Sequence, residues 1–228
     1  MTFEAIVSVE RPVIAVIGGT GTLGSGLAQR LAAAGYAVII GSRTPQKAVD
    51  AAQQLASAAS AAPPRGASNE DAASMGDILL VTVPWSSQAE ILDAIAPHAD
   101  GKLVVDTTVP LQPPKVSRVQ LPSEGSAALA AQKRLGPRAR VVSAFHNVAA
   151  HKLNSGAAID CDVLVFGDAA GDRETVIGLA KAAGLRGLHA GPLANSAAAE
   201  ALTSVLIGIN RAYKVDGAGI RITGIFQG

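Results

Sequence analysis

Residues 13–43 read VIAVIGGTGTLGSGLAQRLAAAGYAVIIGSR, and this stretch decides the fold. Glycines at positions 19, 21 and 24 form the spacing G-x-G-x-x-G, which by itself is a weak signal in a chain with 24 glycines. The apolar run 13–17 before them is typical of a strand covered on both faces. Leucines every four residues after them predict one apolar helical face. The stretch therefore predicts the strand-turn-helix unit of a dinucleotide-binding fold.

Each of the three glycines has its own physical role in such a unit. The first permits the tight turn, the second lets a pyrophosphate approach the backbone, and the third lets helix and strand pack closely. The phosphates then lie at the helix N-terminus, and Gly35 is placed to end the helix. A glycine turn that binds no ligand is the structural alternative. The candidate phosphate-binding residues are Gly19, Thr20, Gly21, Thr22, Leu23 and Gly24.

The end of the second predicted strand carries basic residues where an NAD site has an acid. An NAD site places Asp or Glu there, on the ribose 2′-hydroxyl. Here the chain has Ser42, Arg43 and Lys47 and no carboxylate. A hydroxyl, a guanidinium and an ammonium suit a 2′-phosphate, which an acid would repel, so the sequence favours NADP(H). The alternative is that both cations are solvated charges beside a helix start, with Thr44 as N-cap and Pro45 in the first turn.

Apolar strand-like runs alternate with alanine-rich helical stretches along the chain. Strands are predicted at 13–17, 36–40, 78–83, 103–106, 141–145 and 163–166. Helices are predicted after the glycine turn, at 44–60, 86–95, 124–135 and 172–183, and at the C-terminus, with loops at 61–66 and 109–122. This order predicts an α/β protein with a doubly wound parallel sheet. We expect residues 1–143 to form the Rossmann-type domain and 144–228 a smaller C-terminal part.

The last predicted helix starts at Asn195 or Ser196 and has a long apolar stripe. The stripe consists of Ala198, Leu202, Val205, Leu206, Ile209 and Tyr213. Alternating isoleucines follow at positions 220, 222 and 225, and little chain is left to cover them. A second subunit is the economical cover, so we expect a homodimer. We also expect a shallow substrate cleft, closed by the C-terminal segment or by that subunit.

Composition excludes several classes of protein. The 228 residues carry a net charge of only +1, which gives no electrostatic footprint for nucleic acid. No uninterrupted apolar stretch reaches the roughly 20 residues of a membrane span, and residues 1–12 lack a signal pattern, so we expect a cytoplasmic protein. Cys161 is the only cysteine, which excludes an internal disulfide, and we expect a core thiol. We find no metal-ligand cluster, paired carboxylates or Ser/His/Asp arrangement.

Seven segments together resemble one enzyme family. They are GGTGTLGSGLA at 18–28, GSR at 41–43, NEDAA at 69–73, VPW at 83–85, VVSAFHNVAA at 141–150, AGPLANS at 190–196 and INRAYKVDGAGIRITG at 209–224. The family is that of the NADPH-dependent reductases of coenzyme F420, a 5-deazaflavin hydride carrier. Related domains bind NADPH in membrane ferric reductases, which use a flavin, and the lack of a membrane segment argues against that role.

The resemblance implies direct hydride transfer between C4 of the nicotinamide and C5 of the deazaflavin. The two rings would stack in a cleft between the Rossmann domain and the small C-terminal part. Such a step needs reacting atoms held at about 3 to 3.5 Å. It also needs hydrogen-bond donors at the deazaflavin N1 and C2 carbonyl, where charge develops. It needs no catalytic triad and no metal.

His146 is the residue we single out for catalysis. It follows a predicted strand, at the sheet edge where parallel α/β proteins bind ligands, and the resemblance places it in the deazaflavin pocket. The alternative is a histidine that caps the next helix or bonds a backbone carbonyl. Asn147 and Val148 belong to the same turn and are further cofactor-binding candidates. On the nicotinamide side the candidates are Val83, Pro84 and Trp85, whose ring could border the nicotinamide or simply pack.

Two other functions remain open at this stage. One is an NADPH-dependent reductase of a flavin, a quinone or another small acceptor, because a shallow site does not define the acceptor. The other is a non-catalytic NADP(H)-binding sensor whose C-terminal helix reports occupancy to a partner. Turnover of any acceptor would exclude the sensor.

Overall fold

The computed structural model describes residues 11–56 and 63–225, and its centre is a six-stranded parallel sheet. The strands are β1 (Ile14–Ile17), β2 (Val38–Ser42), β3 (Arg65–Ser68), β4 (Ile78–Val81), β5 (Leu103–Asp106) and β6 (Arg140–Ser143). Their spatial order is β3-β2-β1-β4-β5-β6. This is the strand order of the doubly wound dinucleotide-binding fold, which confirms the predicted fold class.

Helices connect the strands and extend the chain beyond the sheet. They are α1 (Thr22–Ala33), α2 (Pro45–Leu55), α3 (Asn69–Met75), α4 (Trp85–Ile95), α5 (Ala127–Leu135), α6 (Ala150–Leu153), α7 (Ala170–Ala182) and α8 (Ser196–Tyr213). After the large sheet, β7 (Asp162–Val165) and β8 (Arg186–His189) pair as a small parallel sheet. An antiparallel bridge between Ser143 and Phe166 joins the two sheets.

The core has two layers because alternate residues of each central strand face opposite sides of the sheet. Ile14 and Val16 of β1 belong to one apolar cluster, together with α1 and α7 residues. Ala15 and Ile17 belong to the other, together with α4 and α5 residues. Since β1, β4 and β5 are buried along their whole length, their continuous apolar runs are what a sheet covered on both faces requires.

Several element bounds differ from those expected. β2 starts and ends two residues later than predicted, so Ser42 is its last residue. The predicted loop 61–66 is wrong at its end, because Arg65 and Gly66 already belong to β3. A side chain at Gly66 would collide with the α2 backbone at Ala48 and Val49, so the glycine lets α2 pack against this short edge strand. Residues 1–10, 57–62 and 226–228 of the predicted segments lie outside the described residues.

The short elements β8, α3 and α6 were also missed. None of the three has an apolar run or repeat of its own. Two of them form through their neighbours, because β8 pairs with β7 and α6 packs against α1. α3 has a local signal instead, because the Ser68 hydroxyl accepts the backbone N–H of Asp71 at 3.0 Å and caps the helix. Among the described residues, no helix is both long enough and apolar enough to cross a membrane.

The inward face of helix α8 carries polar side chains, whereas much of its apolar stripe is exposed to solvent. Val205 is 47% exposed and Tyr213 76% exposed, while Glu200 is buried. The Glu200 carboxylate accepts the backbone N–H groups of Ala127 at 2.6 Å and Ala128 at 3.1 Å, so it caps α5 from outside. Burial raises the pKa of Glu200 to about 7. A buried acid therefore joins α8 to α5, whereas Leu206 is the one member of the apolar stripe that is buried.

Candidate functional site

A first cavity of about 270 Å³ opens at the carboxyl ends of β1, β2 and β4. This is the edge of a doubly wound sheet at which such proteins bind ligands. The first cavity is lined by Gly18, Thr20, Gly21, Ser42, Arg43, Thr44, Lys47, Asn69, Thr82, Val83, Pro84, Ser87 and Ile91. Seven of the predicted binding positions are therefore brought to one place, whereas Gly19, Thr22, Leu23 and Gly24 belong to the adjoining turn and helix start without lining the first cavity.

The glycine turn has the shape that a pyrophosphate requires. A Cβ on Gly24 would lie 2.5 Å from Thr82 Oγ1 and 2.8 Å from the Cα of Gly19, so the third glycine is needed for helix packing. A Cβ on Gly21 would meet only the Gly18 carbonyl oxygen, at 3.6 Å. No described protein atom therefore requires a glycine at position 21, and Gly21 lines the first cavity. Gly21 is also the N-cap of α1 and has no side chain to cap it. The first turn's N–H groups are thus free for an anion.

The basic corner of the first cavity is formed by the end of β2 and the start of α2. The Ser42 hydroxyl is largely buried and accepts the backbone N–H of Thr44 at 3.2 Å, which fixes the turn. Thr44 is the N-cap residue and Pro45 the first helical residue, as expected, although the Thr44 side chain makes no capping bond. Arg43 and Lys47 are exposed and have no ion-pair partner among residues 11–56 and 63–225. Their charges are therefore available to a bound phosphate.

Asn69 is a site residue that the sequence analysis did not single out. It is buried at the start of α3, and its Oδ1 accepts the N–H of Gly18 at 3.1 Å. A Cβ on Gly41 would lie 2.9 Å from the same oxygen, so this glycine makes room for the contact. Asn69 therefore holds the glycine turn in place. The signal was present, because an asparagine follows β3 at the ligand-binding edge, but β3 itself was not recognised.

The residues after β4 divide between two places. Val83 and Pro84 line the first cavity, and so does Ser87. Trp85 does not: it is the first residue of α4 and lines a separate hollow together with charged residues of α4 and α5. The helix begins immediately after Pro84, which turns the next side chain away from the first cavity.

A second cavity of about 380 Å³ lies at the turn after β6. It is lined by His146, Asn147, Val148, Ala149, His151, Thr203, Leu206, Ile207, Asn210, Val215, Asp216, Gly217 and Ala218. These residues come from the turn, from α6, from α8 and from the segment after α8. His146, Asn147 and Val148 are therefore brought together, but away from the first cavity.

Helix α8 holds this turn in shape. Phe145 has a left-handed backbone with φ of 67°, a conformation that costs a non-glycine residue roughly 1 to 3 kcal/mol and is often found at functional sites. Thr203 Oγ1 donates to the carbonyl oxygen of His146 at 3.0 Å. Asn147 Nδ2 donates to the Ala199 carbonyl oxygen at 2.9 Å and to Thr203 Oγ1 at 3.0 Å. Thr203 is therefore a second site residue that the sequence analysis missed, since it lies on the polar face of α8.

The imidazole of His146 is buried and neutral. Only 7% of the residue is exposed, and burial lowers its pKa to about 4. Nε2 lies 2.7 Å from Ser143 Oγ, and the ring lies 6.4 Å from that of Phe166 between centroids. Neither expected structural alternative is seen, because the side chain neither caps α6 nor bonds a backbone carbonyl among the described residues. A neutral imidazole offers one donor and one acceptor.

The chain after α8 closes one side of the second cavity. Lys152 Nζ donates to the Gly217 carbonyl oxygen at 3.1 Å, and the Ala218 N–H donates to Asn210 Oδ1 at 2.8 Å. His151 Nε2 lies 2.9 Å from Asp216 Oδ1. The C-terminal segment thus contributes directly to the wall.

Cys161 is buried before β7, and burial raises the pKa of its thiol, as expected for a core thiol.

The two cavities lie along one edge of the large sheet. β5 lies between β4, at the first cavity, and β6, at the second. Two strand spacings separate β4 from β6, which is about 10 Å. Thr107 and Thr108 follow β5 and bond the carbonyl oxygens of Val81 and Val83. Residues 11–56 and 63–225 contain no group of three or more His, Cys, Asp or Glu side chains that could hold a metal ion. The arrangement suits two ligands that meet over the end of the sheet.

Comparisons with known proteins point in the same direction. Residues 13–110 match the family model described as NADP oxidoreductase, coenzyme F420-dependent. The chain is 38% identical over 221 residues to the F420-dependent NADP reductase of Methanocaldococcus jannaschii, covering 93% of this chain and 98% of that protein. It is 40% identical over 221 residues to that of Methanothermobacter thermautotrophicus, covering 93% and 95%. The crystal structure of an F420-dependent NADP-reductase candidate from Arthrobacter sp. FB24 superposes with a TM-score of 0.78 at 27% identity, covering 93% of this chain and all of that one.

Proposed function

The chain belongs to the family of F420-dependent NADP reductases, and we propose that it binds NADP(H) in the first cavity and F420 in the second. As a member of this family it is an oxidoreductase whose substrates are NADP(H) and coenzyme F420. Bound together, the two supply the donor and the acceptor of a hydride. The observation that carries the proposal is the pair of cavities at one sheet edge, one with a glycine turn and free cations and one with a buried neutral histidine.

The chain's contribution on the nucleotide side is orientation and charge. The first-turn N–H groups of α1 would hold the pyrophosphate, and the open space at Gly21 would let it approach the backbone. Ser42, Arg43 and Lys47 would surround the 2′-phosphate. Val83 and Pro84 would place the nicotinamide half toward β5. These contacts hold the donor in place and let one face of its ring point toward the second cavity.

On the acceptor side the chain offers a wall closed on one side by the segment after α8, and a buried neutral imidazole. His146, Asn147 and Val148 would contact the deazaflavin ring, and the 215–218 segment would cover it. Direct hydride transfer asks only for alignment of the two rings and for donors at the developing negative charge. Accordingly we propose that 1–143 is the NADP(H)-binding domain and 144–228 the smaller part that completes the acceptor cleft. Support comes from the large sheet, whose last strand ends at Ser143. We also propose a cytoplasmic location, where NADP(H) is present.

Mixing the purified protein with NADPH and oxidised F420 is expected to bleach the visible absorbance of the deazaflavin. NADP with the reduced carrier is expected to restore it, because no covalent intermediate makes the step one-way. The measurement is a stopped-flow or steady-state absorbance trace in both directions. Reduction of FMN, FAD or a quinone while F420 stays inert would overturn the acceptor. NADPH binding without turnover of any acceptor would favour a sensor.

We propose that the protein is a homodimer built on the outer face of α8. Val205, Ile209 and Tyr213 are exposed there, and Ile222 and Ile225 of the tail are 40% and 48% exposed. Burying such a set against a second copy removes apolar surface from water. Light scattering at micromolar concentration is expected to give the mass of two chains, and Ile209→Glu to give one. A wild-type monomer would contradict the dimer.

A further inference from the structure

We propose that Ser143 is a positioning residue, whose hydroxyl donates to Nε2 of His146 and so keeps the imidazole proton on Nδ1, as a donor facing the second cavity. The group that this donor meets is a carbonyl oxygen or an unprotonated ring nitrogen of the hydride acceptor. This part of the proposal rests on the proposed function. The tautomer itself rests on the burial of the two residues and on the contacts around them.

The direction of the Ser143–His146 hydrogen bond follows from what else the serine can reach. Ser143 is the last residue of β6 and has no exposed surface. Among the described residues, its hydroxyl bonds only His146 Nε2, at 2.7 Å. If Nε2 donated, the serine O–H would be buried without an acceptor, which costs roughly 1 to 3 kcal/mol. If the serine donates, only an oxygen lone pair is unused, which buried groups tolerate better. Nε2 is therefore the acceptor.

The other ring nitrogen must then carry the proton. Burial keeps the imidazole neutral, so one nitrogen bears a hydrogen and the other does not. Nδ1 has no hydrogen-bond partner within residues 11–56 and 63–225. In the same part of the chain, no side-chain nitrogen or oxygen is both buried and unpaired. Nδ1 is therefore accessible, and the second cavity, which His146 lines, is what it opens to.

Other contacts hold the imidazole of His146 in place. The Ser143 hydroxyl therefore decides which ring nitrogen carries the proton, and not where the ring lies. The backbone N–H and carbonyl of Ser143 pair with those of Phe166 at 2.8 and 2.9 Å. The Phe166 ring packs beside the imidazole, and Thr203 of α8 holds the His146 carbonyl oxygen. Backbone and ring contacts therefore keep the imidazole in place when the hydroxyl is absent.

An N–H on Nδ1 favours a hydride acceptor on which negative charge develops close to this N–H. A hydride brings two electrons to the acceptor carbon, and the charge spreads to a conjugated carbonyl oxygen or ring nitrogen. His146 keeps its proton throughout and stabilises that charge more than the neutral ground state, which is the kind of contact that accelerates a reaction. A flat ligand with its own N–H or O–H at this position would be disfavoured, because two hydrogen-bond donors would then face each other.

The tautomer can be read directly by ¹⁵N NMR of the ligand-free protein labelled at histidine. We expect the His146 signals, identified by their loss in His146→Ala, to show a protonated Nδ1 and an unprotonated Nε2. The opposite pattern would overturn the proposal. Ser143→Ala is expected to leave both tautomers populated. Ser204→Ala removes another buried serine hydroxyl, one that bonds the Arg118 carbonyl oxygen and does not line the second cavity, and is expected to leave the pattern unchanged.

Kinetics test the consequence for the reaction. Ser143→Ala is expected to lower kcat for F420 reduction about tenfold, as expected for one lost hydrogen bond, with NADPH affinity unchanged. Ser143→Thr keeps the hydroxyl and is expected to recover the tautomer and most of the rate. Wild-type tautomer and rate in a folded Ser143→Ala variant would overturn the proposal. If Ser143→Ala does not fold, the wild-type and Ser143→Thr spectra still decide it. If wild-type protein fails to reduce F420, the proposed function fails, while the spectrum still tests the tautomer.

Discussion

His146→Ala is expected to lower the rate of hydride transfer to F420 about 100-fold, the usual loss when one preorganised donor to a developing negative charge is removed. The imidazole is buried, lines the second cavity and offers a polar atom that no described residue uses. NADPH affinity is expected to stay within about twofold of wild type, because His146 does not line the first cavity. Single-turnover absorbance kinetics and a separate NADPH titration measure the two effects.

Two matched variants make the His146 result specific. His146→Asn places a neutral amide N–H close to the position of Nδ1 and is expected to recover part of the rate. His151→Ala removes the other histidine of the second cavity, which is half exposed and paired with Asp216, and is expected to change the rate less than about threefold. Equal losses in His146→Ala and His151→Ala would contradict the role given to His146.

Between pH 5 and pH 9 the wild-type rate is also expected to show no pH dependence that arises from ionisation of His146. Burial lowers the pKa of this group to about 4, so its protonated form is already lost below that range. A general acid would instead produce a rate that falls as the pH rises through its pKa. A rate that follows a histidine pKa near 6.5, and loses this dependence in His146→Ala, would show that His146 transfers a proton.

Arg43→Ala is expected to weaken NADPH binding by about 1.5 to 3 kcal/mol, or roughly 10- to 150-fold, as expected for loss of a hydrogen bond between charged groups. The guanidinium lines the first cavity and has no ion-pair partner among the described residues. NADH lacks the 2′-phosphate, so its affinity is expected to change less than about twofold. Fluorescence titration or calorimetry with both dinucleotides gives the two affinities, and an equal loss for both would refute the 2′-phosphate role.

Arg65→Ala is the matched control for Arg43→Ala. Arg65 is an exposed arginine at the start of β3, outside the lining of the first cavity. Its removal changes the net charge by the same amount, so it reports the long-range attraction of the anionic dinucleotide alone. We expect NADPH affinity to fall less than about threefold. Comparable losses in the two variants would mean that general charge, rather than contact, accounts for the Arg43 effect.

The residues that come together at the first cavity could be predicted because their signals are local. The strand before Gly19, the leucine repeat after it and the left-handed turn at Gly35 each depend on residues a few positions apart. The absence of an acid and the presence of Arg43 and Lys47 after β2 are equally local. For the same reason the sequence was enough to favour NADP(H), and the motif combination was enough to indicate the F420 reductase family.

The second cavity was less predictable because distant segments build it. The sequence indicated His146 and its neighbours, but Thr203 of α8 and the 215–218 segment come from 57 or more positions away. Asn69 and Trp85 show the same limit. Asn69 contacts the glycine turn only because β3, which lacks an apolar run, pairs with β2, and Trp85 leaves the first cavity because α4 begins one residue earlier than predicted.

The sequence by itself determined the chain's periodicity, its glycine turn and the charges beside it, because backbone sterics and alternating burial act over a few residues. The tertiary structure decided which face of α8 turns inward, since Glu200 has to reach the free N–H groups of α5. It also decided the state of His146. Burial makes the imidazole neutral, and the hydroxyl of Ser143, the only one among the described residues that bonds the ring, orients its proton. Both depend on groups that only the folded chain brings within hydrogen-bond distance.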